Sequence, residues 1–213
     1  MNSKILALQE KINNSLPGLE AHIAFYPLRF INNNAKDYLN YRKSAVAIHI
    51  YSREESSDDF SILLIERSEY EGTHSKQIAF PGGKVDPEDK SFEHTARRES
   101  FEEVEIPFDA GTFIGKLTEV NIPVSKFNVM PYVFFHKTLP PLKKNEREVN
   151  EILSITITEL VDESNRKTTS IKVNDELTMP NVPCFIMQEK IIWGATALIL
   201  NELKIICKEI WNS

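Results

Sequence analysis

Apolar residues at Ile5, Leu8, Ile12 and Leu16 recur at helical spacing and stop before Pro17 and Gly18, which predicts an amphipathic helix at the N-terminus. The period then changes. Ala45 to Ile50 carries β-branched residues within a strand-like run from Ser44 to Ser52, and Phe60 to Ile65 forms a second apolar run beyond a polar turn. Two such runs predict neighbouring strands. A helix is predicted from about Ser91 until Pro107 closes it, followed by strands at Phe113–Leu117, Val129–Phe135 and Glu151–Ile157. Residues 158–176, rich in Thr, Asn, Asp and Lys, form the most loop-like section. From Ala195, the positions Leu198, Ile199, Leu203, Ile206 and Ile210 return to helical spacing and predict a closing helix on the sheet. The irregular alternation favours an α/β fold with a sheet covered by helices on both faces.

A chain of 213 residues, 41% hydrophobic and 26% charged, suits one domain with a well-filled core. No apolar run is long enough to span a bilayer, so no membrane partner is expected. Glu10 and Lys11 interrupt the apolar pattern at the start, unlike a secretion signal, and the cytoplasm is the expected location. Cys184 and Cys207 lack any metal-site spacing and are expected to be buried thiols. A formal net charge of −6 argues against non-specific nucleic-acid binding. It leaves anionic small molecules open, because a bound cation supplies positive charge locally.

The candidate chemistry lies between Phe80 and Ile106. Gly82 and Gly83 make a turn that can bring backbone N–H groups close to a phosphate, and the helix after it carries Glu99, Glu102 and Glu103. Phe101 and Val104 are expected on its core face, with the glutamates together on a separate acidic face. Like charges about 5 to 6 Å apart repel by roughly 3 kcal/mol per pair at an effective dielectric near 20. A hard divalent cation reverses that sign, and oxygen-only ligands suit Mg2+ or Mn2+. Taken alone, such a helix is more often a solvated face. The glycine turn beside it moves the balance toward phosphate chemistry.

These residues resemble the signature of the Nudix hydrolases, G-x5-E-x7-REUxEExGU, at Arg98, Glu99, Glu102, Glu103 and Ile106. Counting from Gly83, the acidic position falls on Asp89, eight residues before Arg98; Ser100 stands for the bulky residue and Glu105 for the glycine at the helix end. The same one-residue extension and acidic substitution belong to the coenzyme A pyrophosphatase branch. That branch's LLTxRS and GQIxFPGG segments are similar to residues 63–68 and 77–83. Residues 117–118, 122–125, 129–133 and 192–197 are similar to further segments, so the resemblance covers about residues 40–205. Two positions depart from it. Gly72 stands where an arginine is usual, and Lys76 where a glycine is usual.

The resemblance implies a Nudix-type α/β/α sandwich with a mixed sheet, organised as a single domain over residues 1–213. An N-terminal helical extension is expected over 1–40, a core over 41–190 and a C-terminal helix over 191–213. It implies a pyrophosphohydrolase with Mg2+ or Mn2+ on Glu99, Glu102 and Glu103, and with Glu102, Glu103 and Arg98 as catalytic candidates. Arg67, Lys76, Gly82 and Gly83 are the substrate-binding candidates. Arg98 and Asp89 are also expected to pair and brace the loop against the helix. The substrate implied is a small nucleoside diphosphate derivative: coenzyme A or its acyl forms first, ADP-ribose or a dinucleotide second. A non-catalytic nucleotide-binding module is a third reading, which the three retained glutamates disfavour. His74 is a lesser substrate candidate, Trp193 and Phe185 are read as packing residues, His49 and His136 suggest no ligand set, and a homodimer is left open.

Overall fold

The computed structural model describes residues 2–30, 38–53, 59–69, 75–172 and 178–211. Helix α1 (Ser3–Asn14) follows the predicted period, with Asn2 capping its N-terminus and Ile5, Leu8 and Ile12 buried. Helix α2 (Gly18–Phe25) and a short 3-10 turn (Pro27–Phe30) come next. Strands β1 (Arg42–Ser52) and β2 (Phe60–Arg67) pair antiparallel, as the two apolar runs predict. The short strands β3 (Ile78–Ala79) and β4 (Gly82–Lys84) then lead into helix α3 (Phe92–Val104), capped by the Ser91 hydroxyl.

Strands β5 (Thr112–Lys116), β6 (Val120–Ile122), β7 (Phe127–His136) and β8 (Val149–Thr156) complete a mixed sheet. β1 runs parallel to β7 from Arg42 opposite Phe127 to Tyr51 opposite His136, while the other pairs are antiparallel. Successive β1 side chains point to opposite faces. Ile48 and Ile50 pack with Ile5, Leu8, Leu198 and Leu203, whereas Ala45 and Ala47 pack with Ala96 of α3. Burial on both faces explains why β1 and β2 read as continuous apolar runs.

β1 and β2 pair only over Ile50–Ser52 opposite Phe60–Ile62, and then diverge. The segment 77–84 fills the gap, with β3 on Ile65 and Glu66 of β2 and β4 on Ser44–Val46 of β1. This wedge places the glycine turn within the sheet, facing the first turns of the acidic helix.

Residues 158–176 differ from the loop expectation. Helix α4 (Ile157–Val161) has a capping box between Thr156 and Glu159, and strand β9 (Arg166–Lys172) pairs with β10 (Thr178–Met187), which in turn pairs with β11 (Lys190–Ile192). Six of the seven β9 residues remain at least partly exposed. Without a buried apolar face, its β-branched Thr168 and Thr169 carry little periodic signal. The closing helix α5 (Gly194–Trp211) buries Leu198, Ile199, Leu203 and Ile206. Cys184 and Cys207 are buried free thiols.

Candidate active site

Helix α3 is turned differently from the sequence expectation. Val104 is buried, but Phe101 is 53% exposed and Glu103 only 1% exposed, so a glutamate occupies the inward face and a phenylalanine the outward one. The inward stripe is Thr95, Ala96, Ser100, Glu103 and Val104. Hydrophobicity alone assigns such a helix incorrectly, because the carboxylate has specific partners waiting inside. Glu105 takes the left-handed conformation, φ 57°, that the family's glycine would adopt without a Cβ penalty.

The three glutamates divide into two groups around Arg98. Its Nη1 donates to Glu99 Oε1 at 2.8 Å and to Glu102 Oε2 at 2.9 Å. Its other edge grips Asp89, with Nε to Oδ1 at 3.0 Å and Nη2 to Oδ2 at 2.9 Å, and Nη2 also donates to the Lys84 carbonyl at 3.0 Å. Asp89 further accepts from Thr95 Oγ1 and the Asp86 N–H, and its Oδ1 lies 2.8 Å from His94 Nδ1. Hydrogen bonding to Arg98 holds the Asp89 carboxyl well below the usual carboxylate range, and Asp89 reciprocally raises Arg98. This bidentate pair fixes the loop carrying Lys84 onto the helix.

Glu103 turns the other way. Its Oε2 accepts from the Gly82 N–H at 2.8 Å, and its Oε1 lies 3.6 Å from Arg67 Nη1. Burial is the main cause that pushes its pKa up to about 8, with Arg67 and the Gly82 amide opposing. Burial also raises Glu99. The Gly82 amide, expected near a phosphate, thus serves the glutamate. The glycines are sterically required: a Cβ at Gly82 would lie 2.4 Å from the Ala45 carbonyl oxygen, and one at Gly83 would lie 2.5 Å from the Glu99 carboxylate.

β4 also lines a cavity of about 660 Å³. One wall carries Arg67, Gly82, Gly83 and Lys84; other walls bring Tyr26, Leu28 and Arg29, the Ile122–Val124 loop, Met179 and Trp193–Thr196. Its lining holds three cations, Arg29, Arg67 and Lys84, and no carboxylate among the described residues, although the chain carries a net charge of −6. Trp193 faces this cavity and a neighbouring groove of about 460 Å³, whereas Phe185 is fully buried and stacks on Phe25 at 5.2 Å. The structure places Lys76 in that groove, paired with Glu69 at 2.8 Å. Gly72 and His74 lie outside the described residues.

Behind α3 stands a buried chain that the sequence reading missed. Ser100 Oγ donates to the Ala96 carbonyl at 2.7 Å, so it accepts from His49 Nε2 at 2.9 Å. His49 Nδ1 then accepts from His136 Nε2 at 2.8 Å. One proton per ring leaves both imidazoles neutral. Burial lowers His49 well below its ordinary value and His136 to about 4. Ser100 at the position usually held by a bulky residue was the available signal, since a hydroxyl there needs a polar partner.

These shifts give opposite pH dependences. Between about 8 and 4.5 the folded state holds a proton on Glu103 that the unfolded chain releases, so lowering pH stabilises. Between 6.5 and about 4 the unfolded chain protonates two histidines that the folded state keeps neutral, so lowering pH destabilises. Two histidines outweigh one glutamate. Thermal unfolding of the metal-free protein from pH 4.5 to 9 is expected to show a maximum near pH 6.5; a midpoint still climbing at pH 5 would contradict the neutral pair.

The sequence matches the NUDIX domain over residues 40–174. It is similar to the uncharacterized Nudix hydrolase NudL of Yersinia pestis (strain Pestoides F), at 35% identity over 162 residues, which is 76% of this chain and 78% of the relative. The same figures hold for NudL of Yersinia pseudotuberculosis serotype O:1b (strain IP 31758). A solved structure of a MutT/nudix family protein from Enterococcus faecalis aligns with a TM-score of 0.47 at 14% identity, over 94% of this chain and 70% of that one. The chain belongs to the Nudix hydrolase family, with the α/β/α architecture and mixed sheet expected of it.

Enzymes of this family generally use divalent metals such as Mg2+ or Mn2+. Among the described residues no three His, Cys, Asp or Glu side chains are already gathered as a ligand cluster, since Arg98 holds Glu99 and Glu102 while Glu103 bonds to Gly82. The donor set nevertheless fits a hard cation. Glu103 and Glu99 are desolvated carboxylates whose charged forms disfavour each other, and a cation between them would relieve both costs.

Proposed function

We propose that this Nudix hydrolase cleaves the diphosphate bond of coenzyme A or an acyl derivative, releasing 3′,5′-ADP and 4′-phosphopantetheine or its acyl form. The observation carrying the reading is the acid-free, three-cation cavity bordered by the same glycine strand that contacts Glu99 and Glu103. Such a lining favours a polyanion. Its apolar residues Leu28, Ile122, Val124, Phe127 and Met179 suit a long, weakly polar arm beside the phosphates. The similarity of residues 63–68, 77–83 and 192–197 to the coenzyme A branch supports that choice.

In this mechanism Glu99, Glu102 and Glu103 would hold Mg2+ or Mn2+, which when bound polarises the diphosphate and lowers the pKa of the attacking water. Arg67 and Lys84 draw the diphosphate against the glycine strand. Arg98 positions Glu99 and Glu102 through its grip on Asp89, and Glu103 is poised near neutral pH to exchange a proton.

The test is a panel of coenzyme A, acyl-coenzyme A, ADP-ribose and dinucleotides with Mg2+ and with Mn2+, read by product mass. Preferential formation of 3′,5′-ADP is expected. Turnover of ADP-ribose or a dinucleotide alone would replace the substrate while keeping the reaction class; metal binding without any turnover would favour a binding module. Arg67 lines the cavity and Lys76 does not, so Arg67→Ala is expected to raise KM about tenfold and Lys76→Ala by less than about twofold. Steady-state KM values on the preferred substrate check that ranking.

A further inference from the structure

Of the three cavity cations, Arg67 and Lys84 belong to the elements around the glycine strand, whereas Arg29 comes from the segment preceding the NUDIX domain. Its Nη2 donates to the Asn121 carbonyl at 2.8 Å, which fixes the guanidinium to β6. Register locates that anchor. Lys84 of β4 faces Ser44 of β1, Ser44 faces Val129 of β7, and Asn121 of β6 faces Asn128 of β7. The anchor is therefore three strands across the sheet from Lys84, about 14 Å at roughly 4.8 Å per strand.

A diphosphate is only a few bonds long. Held at Gly82–Lys84, it cannot also reach Arg29, so a different part of the substrate must meet that guanidinium. The surrounding wall is Tyr26, Leu28, Ile122 and Val124, with no acidic residue in the cavity to neutralise the charge. A planar fork of donors on such a wall matches a phosphate better than a neutral group.

We propose that Arg29 is a specificity-determining residue that receives a phosphomonoester carried by the substrate apart from its scissile diphosphate. This deepens the reading above and rests on its substrate being a nucleoside diphosphate derivative. The N-terminal segment thereby does more than cover the core. It selects substrates bearing a third phosphate over those bearing the diphosphate alone.

Coenzyme A and its 3′-dephospho form differ only in that group and provide the test, together with Arg29→Gln and the charge-retaining Arg29→Lys. The wild type is expected to prefer coenzyme A by about tenfold or more in kcat/KM, and Arg29→Gln to erase most of that preference through KM for coenzyme A. Arg29→Lys should recover part of it. Equal losses on both compounds would show that Arg29 only holds the wall through Asn121, and would overturn the proposal. If neither compound is hydrolysed while another diphosphate is, the coenzyme A reading fails by itself, and Arg29 is judged by calorimetry on the metal-free protein. Tighter binding of 3′,5′-ADP than of AMP, lost in Arg29→Gln, sustains the phosphate subsite; equal binding in the wild type refutes it.

Discussion

Glu103→Gln is expected to lower kcat by about 10²- to 10⁴-fold and, without metal, to make the protein more stable. The two effects share one cause. Glu103 is 1% exposed, and burial lifts its pKa from 4.5 to about 8, so folding at pH 8 works against an unfolded state in which the carboxylate ionises freely. That linkage amounts to about 4 kcal/mol as an upper bound. Glutamine keeps an oxygen to accept the Gly82 N–H but loses the attraction to Arg67, leaving a net gain of about 1 to 3 kcal/mol. The sign fixes the pH window. The gain should be largest at and above pH 8, shrink as pH falls, and vanish near 4.5, where both states are protonated. Each kcal/mol corresponds to about 2 to 4 °C in thermal midpoint for a chain of this size. Mn2+ or Mg2+ should raise the wild-type midpoint, more so at higher pH, and raise the variant's much less. Thermal unfolding at pH 6 and 8, with and without metal, checks all of these shifts. A variant less stable than the wild type at pH 8 would show that Glu103 is already a well-compensated anion in the metal-free fold.

Gly82→Ala and Gly83→Ala, adjacent and chemically identical, are expected to fail in different ways. At Gly82 the new Cβ meets backbone, the Ala45 carbonyl oxygen at 2.4 Å and Val46 Cα at 2.6 Å, and the residue sits at φ +155°. Backbone in the middle of β1 cannot withdraw without breaking the β1–β4 pairing. Strain and overpacking together should cost about 3 to 5 kcal/mol, with activity lost through unfolding. At Gly83 the new Cβ meets the end of a side chain, the Glu99 carboxylate, and that end can swing away. Stability should fall by only about 1 kcal/mol, while kcat drops and the metal requirement rises because Glu99 no longer lies against the loop. Denaturant unfolding and metal titration of activity on both variants separate the two outcomes. Equal destabilisation would mean that Glu99 is locked in place by Arg98.

Most individual elements were legible in the sequence because their signals are local. The α1 period, the paired runs of β1 and β2, the bounds of α3 between Ser91 and Pro107, and the α5 stripe each arise within a few turns or one strand. β9 was not legible, since a half-exposed strand of Thr and Lys has the composition of a loop and is recognisable only beside β10. The Arg98–Asp89 brace was legible from the motif, although its extension to Glu99, Glu102 and the Lys84 carbonyl was not. The histidine chain was hidden altogether. His49 and His136 are 87 residues apart in sequence and meet only because β1 and β7 run parallel in register.

By itself, the sequence determined the family and the helix that carries Arg98 and the three glutamates, because spacing along a helix is set by backbone geometry within one segment. Tertiary structure alone decided which glutamate lost its water. Glu103 is buried and Phe101 exposed because the diverging strands admit a glycine segment whose amide can bind a carboxylate. The cavity likewise belongs to no single segment. Its walls come from residues 26–29, 67–84, 122–129 and 179–199, and desolvation, unlike helical period, depends on everything that surrounds a side chain.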